Sequence, residues 1–436
     1  MSTKDLDGYG TIPDYWDCAP LPEVVFFQEG PGLRKWQWTE AGMKVINVTN
    51  IIGDGSIDTT NTSRFISMAE YENAYRHFRV DAGDIVVASS GNTYGKVGRI
   101  SAKDLPLMMN ASVIRFRSPD ARRLNNDFLY AFLRSEVFRN QVESFVIGSA
   151  QPNFGPTHLK RMVMPLPPLP IQRRIAGILS AYDDLIENSQ RRIKILEEMA
   201  RRLYREWFVY FRFPGHEGCR LVESPLGEIL EGWEVKTVGD SFEILGGGTP
   251  SRKEERYWNG GTIQWFSPTD LTGAGTMFMD DSRDHITHLG LSESSARLFP
   301  PLCVMLTSRA TIGAIAINTT AACTNQGFIT CLPSDQVPLY FLHSWLNENV
   351  PTFVRMASGS TFKEISRGVF KSIHFLHPPV DLVGMFESFA SPIGHELLSL
   401  QLQIQNLRRT RDLLLHRLLS GLIDIEALPN PVLSKS

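Results

Sequence analysis

The chain has 436 residues, 42% hydrophobic and 21% charged, and a formal net charge of −3, an ordinary balance for a globular protein. That length allows two to four domains. No apolar run approaches the ~18 residues of a membrane span, and the opening Met1-Ser-Thr-Lys-Asp-Leu-Asp-Gly8 has no apolar signal region, so neither a membrane location nor export is expected. Five scattered cysteines (Cys18, Cys219, Cys303, Cys323, Cys331) without a C-x-x-C point to a reducing cytoplasm and away from a zinc site. A slightly acidic chain that binds nucleic acid must concentrate its basic residues locally or borrow phosphate attraction from a partner.

Residues 1–168 mix short strands and turns with one helix. Asp84-Ile-Val-Val-Ala-Ser89, Lys96-Val-Gly-Arg-Ile100 and Ser112-Val-Ile-Arg-Phe116 are rich in β-branched residues and bounded by turn residues, as strands are. Asp127-Phe-Leu-Tyr-Ala-Phe-Leu-Arg-Ser135 starts an amphipathic helix behind the capping residues Asn125 and Asn126. Pro165-Leu-Pro-Pro-Leu-Pro170 then reads as a stiff, extended stop.

Residues 169–213 carry heptad character. Ile175, Tyr182, Leu196 and Leu203 share one position, and Ile178, Leu185 and Met199 follow three residues later. Ser189 and Arg192 weaken the middle, while Leu179, Ile186, Ile193 and Trp207 widen the stripe. Residues 214–377 repeat the first order of elements: Cys303-Val-Met-Leu-Thr307, Gly313-Ala-Ile-Ala-Ile317 and Gly327-Phe-Ile-Thr-Cys331 as strands, then Leu339-Tyr-Phe-Leu-His-Ser-Trp-Leu346 as the helix. Residues 378–436 hold a cleaner seam. Val383, Ala390, Leu397, Ile404 and Leu418 fall on one position, with Arg411 the exception; Phe386, Ile393, Leu400, Leu407 and Leu414 fall on the other. Pro392 predicts a break, with a short helix before it and a long one starting near it. Gly421 suits a C-terminal stop.

The chain therefore repeats itself. Gly148-Ser149, Leu159-Lys160 and Pro167-Pro168 reappear 211 positions later as Gly359-Ser360, Phe370-Lys371 and Pro378-Pro379. Earlier matches drift: Trp16 with Trp233, Asn50 with Asp270, Gly95 with Gly313, Asn110 with Asn325. Such a period is too long for a solenoid and gives two homologous modules, each followed by a long helix. Two copies of one module suit a two-part target. The two helices are expected to lie antiparallel and hold the modules apart, since Tyr182 to Phe208 alone spans about 40 Å.

Gly148-Ser-Ala-Gln-Pro-Asn-Phe154, Leu159-Lys160, Pro165-Leu-Pro-Pro-Leu-Pro-Ile-Gln-Arg-Arg-Ile-Ala-Gly-Ile-Leu179, Asp183-Asp184 and Leu196-Glu-Glu-Met-Ala200 resemble the central region of type I restriction-modification specificity (S) subunits. Leu413-Leu-Leu-His-Arg-Leu-Leu-Ser-Gly-Leu-Ile423 is similar to that family's distal region, and the resemblance covers nearly the whole chain. Two positions depart from the pattern: Ile171 stands where the family usually has Glu, and Val383 in the second copy stands where the first has Gln172.

The resemblance implies an α+β fold: two homologous mixed α/β target recognition domains (1–168 and 214–377) separated by two long antiparallel coiled-coil-like helical regions (169–213 and 378–436). It implies a non-catalytic reader of double-stranded DNA. Each domain would read one half of a split asymmetric site, and the helices would set the gap and dock two methyltransferase subunits. Restriction subunits with ATP-driven translocation can join such complexes. S-adenosylmethionine, ATP and magnesium are expected on partner subunits and none on this chain. A type IIB-like system would use a similar subunit. A cryptic nuclease or methyltransferase, or a mere protein scaffold, are the other readings.

The residues agree with a non-catalytic chain. Pro167-Pro168, Pro300-Pro301 and Pro378-Pro379 lack the trailing aromatic that holds a target amine in amino-methyltransferases. Gly91-Asn-Thr-Tyr-Gly-Lys-Val97 imitates a phosphate loop but is one residue short, with Val97 where a magnesium-binding Ser or Thr belongs. It reads as a turn with Gly95 at positive φ. His285-x-x-His288 and His374-x-x-His377 lack metal partners at ligand spacing and read as surface histidines. Glu234-Val-Lys236 has a nuclease-like tail without the acidic pair ahead of it.

Base reading needs Arg, Lys, Asn, Gln, Ser and Thr on rigid loops, and phosphate anchoring needs cations, hydroxyls and backbone N–H groups. Matching loops in the two halves have this composition. The candidates for DNA contact are Arg34 and Lys35; Ser90, Asn92, Thr93, Tyr94 and Lys96; Gln151 and Asn153. Their counterparts are Arg252 and Lys253; Ser308, Arg309 and Thr311; Ser360, Thr361 and Lys363. The Arg-rich helix faces (Arg191, Arg192, Lys194, Arg201, Arg202, Arg205; Arg408, Arg409, Arg411, Arg417) interleave with glutamates and read as solvated or subunit-docking faces.

Overall fold

In a computed structural model of the chain, residues 3–6, 11–53, 55–60, 62, 64–91, 94–146, 153–359, 363–423 and 425 are described. The contacts divide it into two units: Met1–Ile186 with Leu407–Ser436, and Glu187–Asn406. The fold is α+β.

After an N-terminal hairpin, the principal elements of unit 1 are β1 (Asp17–Pro20), β2 (Phe26–Glu29), β3 (Met43–Ile46), β4 (Phe65–Ile66), β5 (Ile85–Ala88), β6 (Val97–Arg99), β7 (Met108–Met109), β8 (Val113–Arg117), α1 (Asn126–Leu133), α2 (Glu136–Val146) and β9 (Val163–Leu166). The long helix α3 (Leu169–Tyr204) follows. Unit 2 then runs through β10 (Glu234–Thr237), β11 (Ile244–Gly246), β12 (Ile263–Phe266), α4 (Pro268–Ala274), β13 (Phe278–Met279), β14 (Asp284–Ile286), β15 (Val304–Thr307), β16 (Ile315–Asn318), β17 (Ala322–Thr324), β18 (Phe328–Cys331), α5 (Leu339–Met356) and β19 (His374–His377), and ends in α6 (Val380–Leu419).

The repeat is one of topology as well as sequence. The main sheet is ordered β2-β8-β5-β6 in unit 1 and β11-β18-β15-β16-β13 in unit 2. A small sheet, β4-β3-β7, has its twin in β14-β12-β17, and in both the central strand pairs parallel with the last and antiparallel with the first. A two-stranded pair, β9-β1, matches β19-β10. Even small caps recur: Asn47 N–H donates to Asn50 Oδ1 (2.9 Å), as Ser267 N–H donates to Asp270 Oδ2 (2.7 Å).

The reason is local. Ile85-Val-Val-Ala88 and Val304-Met-Leu-Thr307 are buried at every position, as strands covered on both faces must be. Helix α1 starts where its cap predicts: Asn125 Oδ1 accepts from the N–H groups of Asp127 and Phe128. Its apolar face buries Phe128 and Phe132 against Trp16, Phe116 and Phe138. Each such ring contributes about 1.5–3 kcal/mol of burial.

Both cores are completed by the long helices. Ile171, Ile175 and Leu179 of α3 and Leu415, Leu418 and Leu419 of α6 belong to the core of unit 1. Tyr204 of α3 and Val383, Phe386, Ala390 and Leu397 of α6 belong to that of unit 2, with Trp207 and Phe208 of the π-helical turn that ends α3. Within unit 2 the two helices run in opposite directions, since Arg192 meets Glu396 while Tyr204 packs on Phe386.

The seam of α3 corrects the expected register. Leu185 and Met199 are 48% and 52% exposed, and Ile178 is only partly buried. Ile175 is buried, and Tyr182, Leu196 and Leu203 partly so. The second line of contact is Leu179, Ile186, Ile193, Ala200 and Trp207, four residues on rather than three. Those side chains are the more continuous apolar set, because Arg192 and Glu206 interrupt the other. In α6, Leu397, Leu400, Ile404 and Leu418 are buried, and Ile393, Leu407 and Leu414 partly so.

The expected break at Pro392 is absent: α6 is continuous over 40 residues. Pro392 leaves the Ser388 carbonyl without an N–H, but both residues are exposed, so the gap lies on the solvent side. Phe386, Ala390 and Leu397 are buried on either side and hold the flanking turns. Likewise the proline stop is shorter than expected, since Leu169 and Pro170 already form the first turn of α3, where a missing N–H costs nothing. Gly421, at φ +69°, follows the end of α6.

The departures at Ile171 and Val383 have a structural counterpart. Gln172 Oε1 accepts from Asn125 N–H (2.9 Å), and its Nε2 donates to the carbonyls of Arg123 (3.1 Å) and Pro167 (2.8 Å), fastening α3 to the loop before α1. In unit 2, Val383 is buried in the core, and Glu387, one turn on, accepts from the N–H groups of Tyr340 and Phe341 at 3.2 Å each.

Arg411 is not on a solvated face. Its side chain is 8% exposed, and Nη1 donates to Asp183 Oδ1 at 2.7 Å; Asp183 Oδ2 accepts from Arg134 Nη1 at 3.0 Å. Without Asp183, the buried Arg411 keeps only the exposed Asp412 as a partner and Arg134 loses its acceptor, and breaking a buried pair on one side is costly. Asp183→Ala should therefore cost about 2–3 kcal/mol, below the ~3–5 kcal/mol of a fully buried pair because Asp183 is partly exposed and Asp412 remains, and lower the melting temperature by roughly 5–10 °C. Adding Arg411→Met should recover part of the loss. Thermal melts followed by circular dichroism check this; an unchanged Asp183→Ala melt, or a double variant worse than the single one, would refute it.

Candidate nucleic-acid interface

In each unit the predicted loops leave one edge of the main sheet. In unit 1 that edge is the end of β2, the start of β8 and the end of β5. Gly30 N–H donates to Val113 O (3.1 Å), Ala111 N–H to Pro31 O (3.0 Å), and Ser89 N–H to Ser112 O (2.9 Å). The segment carrying Asn153 joins them: Phe154 N–H donates to Ser89 O (3.0 Å), and Ser90 and Asn153 form an isolated bridge. In unit 2, Gly248 N–H donates to Thr324 O (2.9 Å), Ser308 N–H to Gly327 O (2.8 Å), Ile365 N–H to Ser308 O (3.0 Å) and Ala310 N–H to Lys363 O (3.0 Å). Arg309 and Glu364 form the matching bridge. The Ser89–Ser112 and Phe154–Ser89 bonds of unit 1 thus have counterparts in Ser308–Gly327 and Ile365–Ser308 of unit 2.

The close approach needs glycine at two places. A Cβ on Gly30 would lie 2.2 Å from Asn110 O, and one on Gly247 would lie 2.0 Å from Asn325 O. The turn glycines Gly95 and Gly313 have φ of +81° and +98°, as their hairpins require.

The candidates fare unequally. Arg34, Lys35, Lys96, Asn153, Lys253, Arg309, Thr311 and Lys363 are exposed, and Ser90 is partly so. Tyr94 is half-buried against the unit 1 core. Ser308 is buried, at 3% exposure, with its main chain paired to Gly327 and Ile365. Asn92, Thr93, Gln151, Ser360 and Thr361 lie outside the described residues. Arg252 is exposed as well, with Nη2 2.6 Å from Asp284 Oδ2 and its guanidinium stacked 3.6 Å above Trp258, contacts that hold it beside the small sheet. Sequence reasoning passed over Trp36, 79% exposed between Lys35 and Gln37, and the exposed Gln326, whose signal was the turn-forming Asn325-Gln-Gly327.

The electrostatics suit a displaceable anion site. Arg309 lies 3.7 Å from Glu364, with both side chains about half exposed; such pairs are worth about 0–1 kcal/mol, so a phosphate can replace the carboxylate. The Arg-rich face of α3 is largely matched by acids: Arg191 with Glu187, Arg202 with Glu198, Arg205 with Glu348. A cleft of about 820 Å³ in unit 2 is lined by Glu197, Glu198 and Glu348 as well as Lys194, Arg201 and Arg205, and so offers no net positive charge. Burial pushes its His343 down to about 4, so that ring is neutral at pH 7.

The other motifs resolve structurally. Glu234 pairs with Lys236 at 2.7 Å. His285 Nε2 lies 2.9 Å from Asp281, whereas His377 is buried rather than on the surface. Among the described residues no group of three or more His, Cys, Asp or Glu is placed to hold a metal ion, and no helix is long and apolar enough to cross a membrane.

The family model described as the type I restriction modification DNA specificity domain matches residues 14–198 and 230–381. The MjaIX type I restriction enzyme specificity subunit of Methanocaldococcus jannaschii is 24% identical, over 98% of this chain and 97% of its own length. The HindI specificity subunit of Haemophilus influenzae is 22% identical over 70% of this chain and 78% of its own. In fold, the chain is similar to the type I restriction-modification S subunit of M. genitalium, with a TM-score of 0.53 at 17% identity, covering 93% and 96% of the two chains. Both repeats fall within the matched stretches, and the chain belongs to the type I restriction-modification DNA specificity family.

Proposed function

We propose that this chain is the non-catalytic DNA-reading subunit of a type I restriction-modification complex in the cytoplasm, with residues 1–168 and 214–377 each reading one half of a split asymmetric site. The observation that carries this reading is the repeated sheet edge, where polar loops are rooted by corresponding main-chain bonds, Ser89 to Ser112 and Phe154 to Ser89 in unit 1, Ser308 to Gly327 and Ile365 to Ser308 in unit 2. Exposed Lys96, Arg309 and Lys363 there supply phosphate anchors, while polar side chains beside them suit base edges. The helical regions 169–213 and 378–436 set the gap and dock two methyltransferase subunits, to which restriction subunits can be added. S-adenosylmethionine, ATP and magnesium belong to those partners. With a net charge of −3 the chain leaves part of the phosphate attraction to them.

Purified alone, the chain should transfer no methyl group, hydrolyse no ATP and cleave no DNA. Co-expressed with its methyltransferase it should direct methylation to one two-part sequence. Methylation by the chain alone with S-adenosylmethionine would overturn the reading.

Exchanging residues 1–168 for those of another family member should change one half of the methylated motif and leave the other intact. Sequencing-based mapping of methylated bases decides it, and a change in both halves would mean the modules do not read independently.

Four residues inserted into α3 after Arg191, with four more at the facing level of α6, add about 6 Å to each helix. The unspecified gap should then lengthen by about one or two base pairs at ~3.4 Å each while both half-sites keep their sequences. An unchanged gap at full activity would separate the helices from the spacing.

A further inference from the structure

The twinned edges differ at the residue after the paired asparagines. Asn110 is followed by Ala111, Asn325 by Gln326. Gln326 is exposed, yet its root is fixed on every side. Asn325 N–H donates to Phe266 O (3.0 Å), Asn325 Oδ1 accepts from Gly327 N–H (2.8 Å), and Gly327 O accepts from Ser308 N–H (2.8 Å). The side chain is held too: Thr249 Oγ1 donates to Gln326 Oε1 at 2.5 Å. Thr249 reaches that place because Gly247, which has no room for a Cβ against Asn325 O, lets its strand end lie on this turn. Beside Gln326 opens a groove of about 300 Å³ whose walls include Thr269, Arg309 and Thr311.

A carboxamide oxygen accepts two hydrogen bonds and its nitrogen donates two. Thr249 takes one lone pair and sets the amide plane. The second lone pair and the Nε2–H groups remain, and they match the N6–H donor and N7 acceptor on the major-groove edge of adenine. A glutamine aimed in advance loses less rotamer freedom on contact than a free one.

We propose that Gln326, aimed by Thr249, reads an adenine in the half-site bound by unit 2. This rests on the DNA-reading function proposed above. Ala111 in unit 1 has no group for that contact, so the two half-sites are read by different chemistry at this position.

The test uses the full chain with its partner methyltransferase and DNA carrying each base in turn at every half-site position. Gln326→Ala should lower the preference for adenine at one position of one half-site by roughly 5- to 100-fold, the usual worth of a bidentate base contact, and leave the other half-site unchanged. Thr249→Val should weaken the same preference by less. Gln326→Glu keeps the acceptor and loses the donor, and should shift the preference at that position toward cytosine, whose N4–H group donates. A Gln326→Ala motif identical to wild type overturns the proposal, as does a loss spread evenly over both half-sites. A wild-type complex that methylates without any two-part motif overturns the DNA-reading function and this assignment with it.

Discussion

The structure depends above all on burying the apolar stripes of α3 and α6. In proteins most of a helix's stability comes from packing its apolar face, and these helices carry one over 36 and 40 residues. Each stripe finds its cover in both units, and each unit's sheet core is closed by side chains from both helices. The sheet modules in turn give the helices fixed points of attachment, Gln172 at the loop before α1 and Glu387 at the start of α5. Those bonds reach backbone groups at helix entrances, which would otherwise lack partners.

The two copies meet the same demand with different chemistry. In unit 1 an ionic ladder runs beside the apolar contact between module and helices: Asp127 with Arg99, Tyr130 between Arg99 and Arg134, then Asp183, Arg411 and Asp412. In unit 2 it is aromatic, with Phe208 packed on Phe341 at 4.8 Å and on Phe386 at 5.2 Å, and Tyr204 on Phe341 at 5.7 Å. Apolar and aromatic packing tolerates small shifts, whereas an ion pair out of water demands its geometry. In the ladder, Asp183 of α3 and Arg411 of α6 tie the two helix segments of unit 1 to each other.

Strands such as Ile85–Ala88 and Val304–Thr307, the Asn125 cap and the duplication itself were legible because each rests on local pattern. The seam of α3 was not, because Ile178, Leu185 and Met199 and the set one residue later both fit a heptad, and only the partner surface chooses. Pro392 misled because propensity gives the local penalty of a proline and says nothing of the buried neighbours that outweigh it. The candidate interface was read as composition: Ser, Asn, Thr and Lys marked loops whose roots lie together at the main sheet of each unit. It was not legible as individual side chains. Burial of Ser308 and the hold on Arg252 come from pairings with Gly327 and Asp284, far away in sequence.

Rooting the loops through main-chain bonds separates two kinds of position. At the roots, Gly30 and Gly247 face a carbonyl oxygen that leaves no space for a side chain, and substitution there must move the sheet edge. At the tips, residues such as Lys96, Thr311 and Gln326 point outward and bear almost none of the folding energy. Exposed substitutions of that kind usually change stability by no more than about 0.5 kcal/mol. The tips can therefore change by single steps at little cost to the fold, and since each edge is built from its own strands, the loops of one unit can vary while those of the other stay as they are.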